Sequence, residues 1–175
     1  MAFSLYDATI PSYLQTIGAF AKLIDKAEAH CDAHDLAPEA LIQARLAEDM
    51  LPFAFQAKWV GTHSLGAIES VRAGLCTPDA STPPDSFDGL RDILSRATEG
   101  LSAIEREEME RFIGKDMVFK FGETEIPFTA ENFLLSFSLP NFYFHATTGY
   151  DILRAQGLEI GKLDFLGQLR MKMPG

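Results

Sequence analysis

An all-α fold is what this 175-residue sequence predicts: a four-helix bundle with a short extra helix and a small β-hairpin before the last long helix. Three observations carry that reading. Long stretches repeat apolar residues at steps of three and four, the period of a helix with one buried face. Proline, glycine and capping residues separate those stretches, so each has a start and a stop. Only Met117–Phe128 switches to alternation, with Gly122 and Glu123 between its halves, which is the pattern of a hairpin. One domain over residues 1–175 is the simplest organisation, and the chain is long enough to bury a core.

The first helix is read over Phe3–Ala33, with Leu14, Ile17, Phe20, Ala21, Ile24 and Ala27 at helical spacing. Pro11 either kinks it or sits in its first turn after Thr9. His30, Cys31 and His34 close it, and both histidines are expected to be exposed, where imidazole complements the helix dipole. A short helix follows within Leu36–Asp49, with Pro38 in its first turn. Pro52 opens the second long helix, whose stripe is Phe53, Gln56, Val60, His63, Ala67 and Val71, and Gly74 is its C-cap. Thr77–Asp85, rich in Pro, Ser and Thr, is a loop. Ser86 caps a third helix from Phe87 to Ile113, with a solvated EREEMER end. Strands over Met117–Phe121 and Thr124–Phe128 form the hairpin, and Pro127 confines its strand to an edge. Thr129 caps the fourth long helix, which runs to Gln156, ends at Gly157 and is kinked or split by Pro140. The tail from Leu158 to Gly175 reads as a loop over the bundle with Leu163, Phe165 and Leu166 tucked in.

Composition narrows the function classes. A formal net charge of -10 leaves no basic excess for nucleic-acid phosphates or for an anionic membrane surface. No apolar run reaches the roughly 18 residues of a membrane span, and no basic segment precedes an apolar one as in a signal peptide. The two cysteines form no CxxC, so neither a zinc finger nor a disulfide framework is expected. A cytoplasmic protein with reduced thiols, without nucleic-acid or membrane partners, follows. Nine of the 14 phenylalanines fall between Phe112 and Phe165, which places much of the aromatic core in the C-terminal third.

The candidate chemistry lies in His63, within LPFAFQAKWVGTHSLGAIESV, and His145, within SFSLPNFYFHATTGYDILR. Imidazoles in apolar helices are either hydrogen-bonded core members or ligands in a bundle interior. Gln56 and His63 share a helix face, with Trp59 and Val60 between them. Asn141, His145 and Thr148 share another. If the two faces meet, these residues form a polar island, with Gln56, Trp59, Asn141 and Thr148 lining a pocket. An unpartnered buried polar group costs about 1–3 kcal/mol, so such an island must be hydrogen-bonded, hydrated or built around a ligand. Tight divalent binding needs three or four protein donors. Two histidines alone therefore give a weak site for zinc, nickel or manganese, or else a satisfied core. No P-loop, GxGxxG, HExxH or nucleophile elbow is present. The aromatic run Phe142–Phe144 covers several helix faces, as core packing plus a subunit interface would.

The segments SLYDATIPSYLQTIGAFAKLIDKA, RLAEDMLPFAFQ and LPNFYFHATTGYDILRAQG, with IGKLDFLG after the last, resemble a bacterial domain-of-unknown-function family. That family lies in the DinB/YfiT-like superfamily of metalloenzymes, and the resemblance covers essentially the whole chain. It implies a DinB-like four-helix bundle with a long crossover connection and a homodimer. In metal-binding members, one histidine comes from the second helix and two from an HxxxH motif on the last long helix. His63 matches the first and His145 the leading histidine of HxxxH, while the trailing position falls on Gly149. The resemblance thus implies a degenerate or weak two-histidine site with no assigned reaction. The alternatives are a metal-dependent small-molecule (thiol) transferase or hydrolase, and a non-catalytic small-ligand-binding or structural dimeric module.

Overall fold

Ser4 starts the first helix. Its hydroxyl accepts from the Asp7 backbone N–H while the Asp7 carboxylate accepts from the Ser4 N–H, a reciprocal cap that satisfies two donors. In the computed structural model, which describes residues 3–172, α1 (Leu5–His34) then runs through Pro11 without a break. Pro11 therefore lies inside the helix, and the cap is Ser4 rather than Thr9. His34 is exposed as expected, but His30 is half-buried, and the two rings stack with centroids 4.1 Å apart.

The short helix α2 (Glu39–Ile42) stops well before Asp49. Leu41 and Ile42 are its only buried residues, and Leu46 and Leu51 beyond them are exposed. A helix of that length persists only where packing holds it, and here the packing ends at Ile42. The second rod comprises α3 (Phe53–Gly61), a π-helical turn (Thr62–Gly66) and α4 (Ala67–Ala73), closed by Gly74 at φ 71°. Ser86 caps α5 (Phe87–Ser102), its hydroxyl accepting from Gly89 N–H. This helix does not reach Ile113. The chain turns after Ser102 and resumes as α6 (Arg106–Glu110), so that Ile104, Met109 and Phe112 are all buried.

The all-α expectation needs correction, because the mostly helical chain also carries a small three-stranded sheet. Strands β2 (Asp116–Phe121) and β3 (Thr124–Thr129) form the expected antiparallel hairpin, with Met117 opposite Phe128. A two-residue strand, β1 (Leu75–Cys76), adds in parallel to β2, pairing Cys76 with Phe119. Two residues are too few to show a period, so sequence patterning cannot reveal β1. Pro127 lies on β3, the edge strand of the order β1-β2-β3. Thr129 caps the fourth rod: α7 (Ala130–Asn132), a second π-helical turn (Phe133–Ser138) and α8 (Leu139–Ala155). Pro140 lies in the first turn of α8, one residue beyond the start of that helix, and does not end the rod. Downstream, α9 (Lys162–Leu166) is a short helix where a loop was expected. Phe165 packs on Tyr150 at 5.9 Å, but Leu163 is 77% exposed rather than tucked in. Residues 173–175 of the tail lie outside the described residues.

Both α1 and α3 pack on α5 and on α8. Going round the core, the order is α1, α5, α3, α8, so the first and second rods are diagonal partners, as are the third and fourth. Diagonal partners need longer connections than adjacent ones, and the segments carrying α2 and the α6–hairpin unit supply them. At the centre lie Tyr13, Phe20, Phe53, Phe133 and Phe142. Tyr13 meets Phe142 edge-on at 4.8 Å, and Phe20 stacks on Phe53 at 5.8 Å. Each such side chain contributes about 1.5–3 kcal/mol by burial. Lys58 of α3 is also buried. Its ammonium donates to Asp79 O (3.1 Å), Ser81 O (2.5 Å) and Ser81 Oγ (2.9 Å) and pairs with the Asp79 carboxylate at 3.0 Å. That staple pins the 77–85 loop, whose backbone has no regular structure, to the second rod.

Among the described residues, no helix is long and apolar enough to cross a membrane.

Candidate functional site

The two π turns place the first imidazole. A π turn carries one residue more per turn than an α-helix and releases backbone carbonyls from the usual ladder; such turns recur at functional positions. Here Ser64 donates its hydroxyl to Val60 O (2.7 Å) and Gly61 O (3.0 Å). Ser138, the last residue of the second π turn, donates to the carbonyl of His63 itself at 2.7 Å. The two distortions are thus tied to each other at the backbone of His63, and all three groups are buried.

The second imidazole is oriented by Gln56. The Gln56 amide nitrogen donates to Leu51 O at 2.9 Å, which turns its Oε1 toward His145. His145 Nδ1 lies 2.8 Å from that oxygen. A carbonyl oxygen only accepts, so Nδ1 carries the proton and Nε2 keeps its lone pair. Trp59 packs against both histidines, with centroids 5.2 Å from His63 and 5.4 Å from His145, and the histidine centroids are 5.5 Å apart. The three rings are within 25° of parallel, so they form an offset-stacked triangle. Burial pushes both imidazoles down to about 4, with the neighbouring His145 adding to the effect on His63. Both are neutral at pH 7.

Beside the triangle lies a cavity of about 240 Å³. Trp59, His63 and Asn141 face it from the rods, and Phe119, Phe133 and Phe137 face it from the sheet and second π turn. Cys76 of β1 and Thr77–Asp79 close another side. Larger clefts of about 590 and 810 Å³ open over Lys58 and beside the C-terminal tail, but no histidine lines either. The structure therefore brings Gln56, Trp59, His63 and His145 together and sets Asn141 on the cavity wall. Asn141 donates to Phe137 O at 2.7 Å. Thr148 is buried on α8 but does not line the cavity, and Gln56 and His145 stand behind Trp59 and His63 rather than on its wall. Periodicity passed over Ser138 and the three phenylalanines, because an apolar run marks burial without saying which residues border a void.

Gly149 holds the trailing position of the expected histidine motif. A Cβ there would lie 2.6 and 2.7 Å from Cζ and Cε2 of Phe20, well inside van der Waals contact. A phenyl ring from α1 thus occupies the space that a side chain at 149 would need. Both ends of the Gln56 amide are engaged, and among the described residues no group of three or more His, Cys, Asp or Glu is placed to hold a metal. A tight three-ligand metal centre does not fit these residues.

The fold matches a crystal structure of a DinB family member protein from Shewanella denitrificans, with a TM-score of 0.81 and 23% identity over 97% of this chain and 96% of that one. At that identity the likeness speaks for the fold. Residues 5–166 match the family described as a domain of unknown function, DUF1993, and the chain belongs to that family. No curated protein matches the chain.

Gly149→His alone should destabilise the protein by about 3 kcal/mol through overpacking against Phe20. Adding Phe20→Ala opens room for the new ring, so the double variant should lose markedly less than the sum of the singles. Denaturant melts of the singles and the double variant measure that coupling, and strict additivity would refute the contact. The imidazoles also make stability depend on pH. Their folded values lie near 4, below the 6.5 of a free imidazole, so their contribution is complete above about 6.5 and is lost as pH falls toward 4. The loss should be on the order of 2 kcal/mol per ring once residual solvent contact is allowed for. Paired carboxylates such as Asp164 enter only below about 4.5. Melting temperatures from pH 7 to 5 should therefore fall, and fall less in His63→Gln.

Proposed function

We propose that this chain is a single-domain, DinB-like four-helix bundle whose two-histidine site is degenerate as a metal centre and holds a small molecule, with no reaction assigned. One observation carries the reading: an apolar cavity lined by His63, whose neutral imidazole stacks on that of His145, itself fixed in tautomer by Gln56. Neutral imidazole both donates and accepts, which suits recognition of an uncharged polar group. The engaged Nδ1 of His145 also favours a second reading. A histidine whose other nitrogen is held by an amide is prepared to offer Nε2 to a metal, so a weak divalent site supporting thiol-transferase or hydrolase chemistry is the competing function.

Titration of metal-stripped protein with zinc, nickel and manganese separates the two, run beside a thermal-shift screen of small neutral compounds. Both assays include His63→Ala and His145→Ala. The expected result is no near-stoichiometric metal and stabilising compounds whose effect disappears in His63→Ala. Near-stoichiometric metal lost in both variants would instead establish the metal-dependent reading.

A cytoplasmic location and a homodimer belong to the same proposal. Cys31 and Cys76 are both free thiols, which supports a reducing compartment. Phe144 is 56% exposed and Tyr143 37% exposed on α8, an aromatic surface suited to a second copy. Sedimentation at dimer mass is the expected outcome, and Phe144→Ser should shift it toward monomer.

A further inference from the structure

We propose that the cavity beside His63 takes a neutral, planar aromatic molecule of one or two rings bearing a hydroxyl or carbonyl group. This deepens the small-molecule reading above and rests on it. The walls set the shape. Phe119 and Phe133 pack on Phe137 with centroids at 4.8 and 5.4 Å, and Trp59 faces the same space. These rings brace one another, and with Trp59 they line the space with aromatic faces and edges, which favour a flat guest that stacks or meets them edge-on. The volume sets the size. About 240 Å³ exceeds the roughly 150 Å³ of an apolar cavity that accepts benzene and falls short of the ~300 Å³ at which drug-sized pockets begin.

Charge excludes ions. Among the described residues of the lining, Asp79 alone is formally charged, and its carboxylate already pairs with the Lys58 ammonium at 3.0 Å. A carboxylate or ammonium guest would enter without a counter-charge, which burial penalises heavily. One unpartnered donor on the wall calls for one hydrogen-bonding substituent. Trp59 Nε1 is buried and has no partner among the described residues. It is a donor only, so it needs an acceptor. Asn141 spends its nitrogen on Phe137 O, which leaves its Oδ1 to accept. A hydroxyl accepts from the indole N–H and donates to Asn141 or to His63, while a carbonyl satisfies the indole alone. A hydrocarbon ring would leave the buried N–H unpaired.

The chain contains one tryptophan, so its indole N–H gives a single NMR resonance that reports this wall directly. The probes are p-cresol, toluene and p-toluate, which share a ring and a methyl group and differ in carrying a hydroxyl, nothing or a carboxylate. The expected result is a downfield shift of the indole proton with p-cresol, affinity for p-cresol about tenfold above toluene, and no saturable binding of p-toluate. Ala67→Leu, at a buried lining position, should abolish the p-cresol effect; Cys76→Phe fills the same space from the sheet side should Ala67→Leu not fold. Equal affinity for toluene and p-cresol, an unmoved indole resonance with p-cresol bound, tighter binding of p-toluate, or no binding of any probe would each overturn the ligand class. The broader reading fails separately, when no compound of the neutral screen depends on His63.

Discussion

The contact between Phe20 and Gly149 governs what this fold can do. It joins α1 to α8 at the level of Gln56, and the phenyl ring occupies the place where any side chain at 149 would have to begin. A ring seated against a bare backbone gives close helix packing and removes a ligand position in one step. No side chain reaches the imidazoles from position 149, and the two rings pack on each other and on Trp59. Burial then keeps them uncharged, since neither has a carboxylate partner among its ring contacts and hydrogen bonds.

Two imidazoles held neutral in an apolar setting need their orientations set by something other than a metal. Gln56 does this for His145 through a side-chain amide whose far end is anchored on a backbone carbonyl. His63 is set through its backbone, where two π turns meet and Ser138 supplies the bridging hydroxyl. The second widened turn also puts Phe133 and Phe137 on the side of the fourth rod that faces the void. Helical distortion, side-chain hydroxyls and cavity are therefore one construction rather than three features.

Much of the fold is legible because rods and caps are local. The stripe from Phe53 to Val71, the caps at Ser86 and Thr129, the turn at Gly74 and the hairpin alternation all follow from residues near in sequence. The break after Ser102, the early end of α2 and the two-residue β1 follow from where partners lie, which periodicity does not encode. The candidate site divides the same way. Gln56 and His63 share a stripe and do share a site, and His145 joins them. Thr148 follows the same spacing yet misses the cavity, while Phe20, part of no motif and one of six residues in the stripe of the first helix, fills the space beside Gly149. Volume is a property of the assembled molecule, and a phenylalanine in a helical run carries no mark of what it displaces.

Lys58 gives the cavity an unusual kind of wall. Thr77, Pro78 and Asp79 close one side of it, and the carbonyls of Asp79 and Ser81 are held by the ammonium of a lysine that is 5% exposed. Parting that wall from the rod means hydrating a cation and releasing an ion pair, not separating two oily surfaces. Its breathing is accordingly an electrostatic event, answerable to ionic strength and to the polarity of the solvent, while the aromatic walls opposite answer to the hydrophobic effect. The chamber is shut on its two sides by forces that different solutes weaken.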